Sequence, residues 1–164
     1  MTEDTAPGEM RPGETRLPFD PSDRTQAGLA FIGHLRSPWT HADCPRNLRG
    51  ARERGGGARI VLARDYAPGL AGLSVGQPIL LLYWADAARR DPIVQAPRHA
   101  DGPRGTFALR SPRRPNPILA ATVRITDLDA ARGEVGIDAI DAPDGTPVID
   151  LKPWLPTIDA PSDT

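Results

Sequence analysis

Nineteen prolines are scattered through 164 residues, so few stretches are long enough to run as an uninterrupted helix. Each proline removes a backbone donor and clashes with the preceding turn. Each also pushes the residue before it towards extended backbone. What remains between the prolines alternates apolar and polar side chains, as half-buried strands do. Leu29, Phe31, Gly33 and Leu35 alternate with Ala30, Ile32, His34 and Arg36. Residues 58–63 read as a second strand after the glycines at 55, 56 and 57, and 78–84 (PILLLYW) as a buried central one. Further strands are predicted over 105–111, 119–126, 134–139 and 147–151, with one short helix over 66–73. Short strands with almost no helix point to a mainly β fold, either a sandwich or a closed barrel.

Residues 1–27 are polar and rich in Pro, Gly and Asp, and are expected to form a flexible arm. The folded domain is expected over 28–159, and 160–164 as a flexible tail. No apolar run approaches the roughly 20 residues that span a bilayer. The first residues carry Glu3, Asp4 and Glu9 rather than a basic and then apolar leader, so a cytoplasmic protein is expected.

The formal net charge is −1, yet the charges are segregated. Arginines dominate 46–64 and 89–114, and the sign reverses from Asp127 onward. That distribution permits one basic and one acidic face. It permits equally that the arginines are ordinary solvated charges. His34, His41, Cys44 and His99 match no standard metal-ligand spacing, so no metal site is expected. No G-x-G-x-x-G follows a strand, which argues against a Rossmann-type nucleotide site.

Two segments stand out chemically. Residues 110–118 (RSPRRPNPI) hold three prolines and can form neither a helix nor a central strand. A stiff loop presenting Arg113, Arg114 and Asn116 suits an anion or a nucleobase edge, but on these residues alone it reads more readily as a rigid crossover whose arginines are surface charges. Residues 144–154 (DGTPVIDLKPW) open on an Asp-Gly turn, with Gly145 free to take positive φ. The Asp144 carboxylate can cap backbone amides there. Asp150 and Lys152, the sole lysine, lie on one strand face and can form an exposed ion pair.

Together these segments make the chain resemble the TsaA-like (TrmO) family of S-adenosylmethionine-dependent tRNA methyltransferases. Gly105, Phe107, Ala108, Arg110, Ser111, Arg114, Pro115, Asn116, Pro117 and Ile118 fit the pattern G-x-F-A-x-R-S-x-x-R-P-N-P-I. Asp144, Gly145, Thr146, Pro147, Asp150, Lys152, Pro153 and Trp154 fit D-G-T-P-x-x-D-x-K-P-Y/W. IGHLRSPW (32–39) and QAPR (95–98) fall in the family's order. The resemblance implies a small single-sheeted antiparallel β-barrel with at most one or two short helices, usually dimeric, with S-adenosylmethionine as cofactor. It implies methylation of threonylcarbamoyl-adenosine next to the tRNA anticodon. Phe107, Ala108, Arg110, Arg114 and Asn116 would line the cofactor pocket with Asp144, Gly145, Thr146 and Pro147. Asp144 would serve as base or would orient the acceptor, and Arg46, Arg98, Arg113 and Lys152 would contact RNA. Leu119 stands where members often have glycine, and 40–57 matches the family only at Pro45-Arg46. These departures motivate an alternative: a non-catalytic S-adenosylmethionine-binding protein, or a small-molecule methyltransferase on the same fold.

Overall fold

A computed structural model describes residues 9–162. Residues 1–8 of the expected arm and 163–164 of the expected tail lie outside the described residues. The fold is mainly β, with nine strands and two short α-helices among the described residues. The chain divides into two compact units. The first comprises the described part of Met1–Gly28 together with Ala85–Leu119, and the second comprises Leu29–Trp84 and Ala120–Thr164.

In the second unit six strands follow one another around a closed ring. They are β2 (Gly33–Arg36), β3 (Ala58–Leu62), β8 (Glu134–Ile137), β7 (Ile118–Asp129), β4 (Pro78–Trp84) and β9 (Pro147–Pro153), in that spatial order. The pairings between β2 and β3, β3 and β8, β8 and β7, β4 and β9, and β9 and β2 are antiparallel. The ring is short and uneven rather than a regular cylinder. Gly33↔Val148 and His34↔Pro147 are the paired positions where β2 meets β9, and the register shifts between Leu82 and Tyr83.

The inward side chains explain the ring. Leu35, Ile60, Ile79, Leu81, Val123, Ile125, Val135, Ile137 and Val148 are all buried, one from every second position along the strands. Strand β4 matches its expected bounds, and its odd-numbered residues carry the core while Leu80, Leu82 and Trp84 are only partly covered. Beside the ring strands, α1 (Leu48–Glu53) is capped by the Asn47 side chain, which accepts from the Gly50 N–H at 2.8 Å. Helix α2 is the single turn Pro156–Asp159.

Three expectations need correction. The strand expected from Leu29 starts only at Gly33, as β2, and Leu29 and Phe31 are exposed. The helix expected at 66–73 is instead a 3₁₀ turn over Arg64–Leu70, because Pro68 interrupts the α-helical bonding. The fold is not single-sheeted, since the first unit holds its own sheet. That sheet is ordered β1 (Thr15–Arg16), β5 (Pro92–Gln95) and β6 (Arg104–Gly105).

The segment expected as an arm thus contributes a strand, with Thr15 opposite Val94 and Arg16 opposite Pro92. After β6, residues predicted to continue as a strand turn into a 3₁₀ turn over Thr106–Ala108. The cause is Thr106, which is buried and donates its hydroxyl to the Pro92 carbonyl at 3.0 Å.

Candidate functional site

In the first unit the proline-rich loop is fastened from behind. Gln95 is buried, and its side-chain amide reaches the Thr106 hydroxyl at 2.9 Å and the Arg113 carbonyl at 2.6 Å. Arg90 donates through Nε to the Pro115 carbonyl at 2.6 Å and through Nη2 to Asn116 Oδ1 at 3.2 Å. Arg114 turns back on its own loop, Nη1 donating to the carbonyls of Leu109 at 3.0 Å and Ser111 at 3.1 Å. Thus two residues outside the motif, Arg90 and Gln95, and one inside it, Arg114, hold a backbone that prolines have deprived of donors.

This fastening leaves Phe107, Ala108, Arg110 and Asn116 exposed, with Phe107 at 75%. The Phe107 ring is therefore an open apolar π-face. With its Oδ1 accepting from Arg90, Asn116 has an amide NH₂ suited to a nucleobase acceptor.

In the second unit the Asp-Gly corner locks onto the loop that follows β2. Gly145 takes φ +82°, the left-handed conformation the turn requires. Its N–H donates to Leu35 O at 2.8 Å, Leu35 N–H donates to Thr146 O at 2.8 Å, and Asp144 N–H donates to Trp39 O at 2.8 Å. The Thr146 hydroxyl closes the turn onto Pro143 O at 2.7 Å. The Asp144 carboxylate accepts from the Ser37 N–H at 3.0 Å and from Arg36 Nη1 at 3.3 Å. The Ser37 amide, and next the Arg36 charge, hold its pKa below the ordinary carboxylate value, against the opposing pull of desolvation. The R-S-P and D-G-T-P motifs, far apart in sequence, are one hydrogen-bonded unit.

Beside this corner lies an open groove of about 620 Å³, lined among others by Arg36, Ser37, Arg59, Asp127, Gly136 and Asp144. In the first unit a second groove of about 540 Å³ runs along Arg16, Phe19, Asp20, Arg89, Arg90 and Asp91. Asp144 is the only predicted site residue lining either groove.

The four residues expected to contact RNA divide evenly, Arg98 and Arg113 in the first unit and Arg46 and Lys152 in the second. Arg46 and Arg98 are exposed. Lys152 pairs with Asp150 at 2.7 Å, and Arg113 lies 3.5 Å from Glu14. Much of the segregated charge is spent within the second unit. Arg52 meets Asp138 at 3.0 Å, and Arg59 meets Asp127 at 3.0 Å and Glu134 at 3.4 Å. The basic stretch at 46–64 and the acidic one from Asp127 are therefore neighbours across β3, β8 and β7. Among the described residues no three His, Cys, Asp or Glu side chains gather as a metal would need. No helix among them is long and apolar enough to cross a membrane.

Sequence comparison places these motifs. The family model described as the tRNA-methyltransferase O N-terminal domain matches residues 34–160, which takes in both the proline-rich loop and the Asp-Gly corner. The chain belongs to this family. An S-adenosyl-L-methionine-binding protein of Archaeoglobus fulgidus is 39% identical over 132 residues, 80% of this chain and 91% of that one. A second Archaeoglobus fulgidus protein, described as a probable S-adenosyl-L-methionine-binding protein, is 35% identical over 133 residues. That match takes in 80% of this chain and 35% of the relative, so the chain spans about a third of that protein's length. The crystal structure of TrmO from Pseudomonas aeruginosa superimposes with a TM-score of 0.64 at 26% identity, covering 85% of this chain and 61% of that one. In family terms the matched region starts inside β2 and leaves residues 9–28, including β1, outside it.

Three residues that hold the proline-rich loop are absent from the expected site: Arg90, Gln95 and Glu14. Gln95 carried a signal, since QAPR fell in the family's order. Arg90 looked like any surface arginine, and its bond to Pro115 O depends on a loop meeting that no local pattern encodes.

Proposed function

We propose that this protein binds S-adenosylmethionine and methylates the exocyclic nitrogen of threonylcarbamoyl-adenosine next to the tRNA anticodon. The observation that carries the reading is the family match over 34–160, which includes every residue expected to bind the cofactor. The side chains present fit such a group. Phe107 offers an exposed aromatic face suited to a planar base or a sulfonium cation, and Asn116 offers donors suited to a base edge. By the family motif Phe107, Ala108, Arg110, Arg114 and Asn116 are proposed to contribute from the loop, and 144–147 from the corner. When bound, the cofactor supplies a methyl group made electrophilic by its sulfonium.

The chain's part is then positioning, since a displacement at carbon needs donor and acceptor aligned near van der Waals contact. Of the two roles expected of Asp144, orientation is favoured over proton abstraction. A carboxylate already accepting an N–H and a guanidinium, with a depressed pKa, is a poor base. Arg46, Arg98, Arg113 and Lys152 are proposed to serve RNA, and a homodimer is part of the same proposal.

Incubating the protein with methyl-labelled cofactor and threonylcarbamoylated tRNA tests this. The expected result is label in the modified adenosine and none in tRNA lacking the modification. Cofactor binding without transfer to any such tRNA would overturn the enzymatic reading. It would support the second reading, a cofactor-binding protein without tRNA activity, which the names of the Archaeoglobus relatives favour.

A further inference from the structure

The segment before the family region does more than precede it. Strand β1 pairs with β5, and the Leu17 N–H continues the contact by donating to Asp91 O at 2.8 Å. Just ahead of β1, Glu14 turns inward until its side chain is 3% exposed. Its carboxylate accepts from the Arg11 N–H at 3.1 Å and from the Ala96 N–H at 3.2 Å, and lies 3.5 Å from Arg113 Nη1. Arg11 Nη1 in turn donates to the Ala96 carbonyl at 3.1 Å. Arg113 is thereby gripped at both ends, its guanidinium by Glu14 and its carbonyl by Gln95.

A buried carboxylate is costly unless paired and hydrogen-bonded, and here each partner belongs to the segment itself, to the turn after β5 or to the proline-rich loop. A surface ion pair would tell nothing about the loop. Here the carboxylate is enclosed, three segments distant in sequence are joined, and a residue outside the matched family region is brought onto the loop inside it.

We propose that residues 9–17 form a clasp on the proline-rich loop, with Glu14 acting through Arg113 as a positioning residue for cofactor binding. The loop has few backbone donors of its own, so side chains must set its shape. Glu14 and Gln95 fix Arg113, Arg114 ties the preceding turn, and Phe107 is presented beyond it. The inference rests on the reading that this loop binds S-adenosylmethionine.

The test uses the full chain as wild type, Glu14→Gln, Arg113→Gln and the double variant. S-adenosylmethionine is titrated by calorimetry, and amide hydrogen exchange is followed over 106–118. Each single variant is expected to weaken cofactor affinity by about tenfold and to speed exchange of the loop amides. The double variant should be no weaker than either single one, because both break one contact. Glu14→Asp, which keeps the charge, should recover part of the affinity.

Unchanged loop exchange and unchanged affinity in Glu14→Gln would overturn the clasp, as would fully additive losses in the double variant. A lower melting temperature with intact affinity would reduce Glu14 to a structural role and also overturn it. Should Glu14→Gln fail to fold, Arg113→Gln decides, since it leaves the carboxylate both amide donors. If the wild type binds no cofactor, the functional reading falls alone. Loop exchange then still decides the clasp, which fails if exchange is unchanged.

Discussion

Asp144 illustrates how much a single residue's surroundings limit its chemistry. Its carboxylate is committed to the Ser37 amide and to Arg36. Replacing it by Asn keeps an acceptor for the amide and removes the charge facing Arg36. If the residue orients, Asp144→Asn should lower methyl transfer by about tenfold or less. Loss of a true general base typically costs roughly 10²–10⁴-fold. Single-turnover rates with saturating cofactor separate the two. Cys44 makes the opposite point about reactivity. Burial first, then the nearby charges of Asp141 and Asp43, push its thiol up to about 11. It should therefore be almost entirely protonated at pH 8, and a thiol reagent should label it far more slowly in the folded protein than in denaturant. Fast labelling of the native chain would show that Cys44 is more open than its surroundings imply.

Among the elements, the Asp-Gly corner was legible because its chemistry is local. The dipeptide demanded positive φ at Gly145, and the turn has it. Gly145→Ala should cost roughly 1–2 kcal/mol by forcing a Cβ into that conformation. A chemical denaturation midpoint checks this, and an unchanged midpoint would contradict it. Strand β4 was legible for a related reason, since an apolar run between Gly76 and Asp86 leaves little freedom in its bounds. Strands β1 and β5 were not. They span two and four residues, and Pro92 opens β5, so no alternation could emerge. The 3₁₀ turn at Thr106–Ala108 was misread as strand because F-A-L alternation suits a strand. The buried bonds from Thr106 to Pro92 O and from Gln95 to Thr106 override it, and they join residues far apart in sequence. The residue types proposed for the site thus come from motifs. The side chains that hold them, Arg90 and Gln95, depend on the tertiary fold.

For the whole molecule, the segregated charge in the sequence becomes paired charge in the fold, most plainly around Arg52 and Arg59. Acid should therefore weaken the structure through identifiable carboxylates. Asp91 is held below its ordinary value chiefly by the Arg89 guanidinium, and Asp144 chiefly by the Ser37 amide. At Glu14 burial is the largest single influence and pulls the other way. The amides of Arg11 and Ala96, with the charges of Arg113 and Arg11, together outweigh it and leave the group lowered. A depressed folded pKa stabilises fully above the unfolded value, and that contribution is lost as pH falls through the folded one. Melting temperature should accordingly hold down to about pH 5 and fall below about pH 4, with a shallower fall in Glu14→Gln. An acid limb unchanged by that substitution would argue against the buried contact.

The central claim is that the proline-rich loop is part of an S-adenosylmethionine site. Calorimetric titration of the cofactor into wild type and Arg114→Ala tests it most directly. Arg114 both belongs to the family motif and ties the loop through Leu109 O and Ser111 O, so its loss should remove measurable binding that the wild type shows. Absence of heat and of thermal stabilisation in the wild type, or wild-type affinity in Arg114→Ala, would contradict the account.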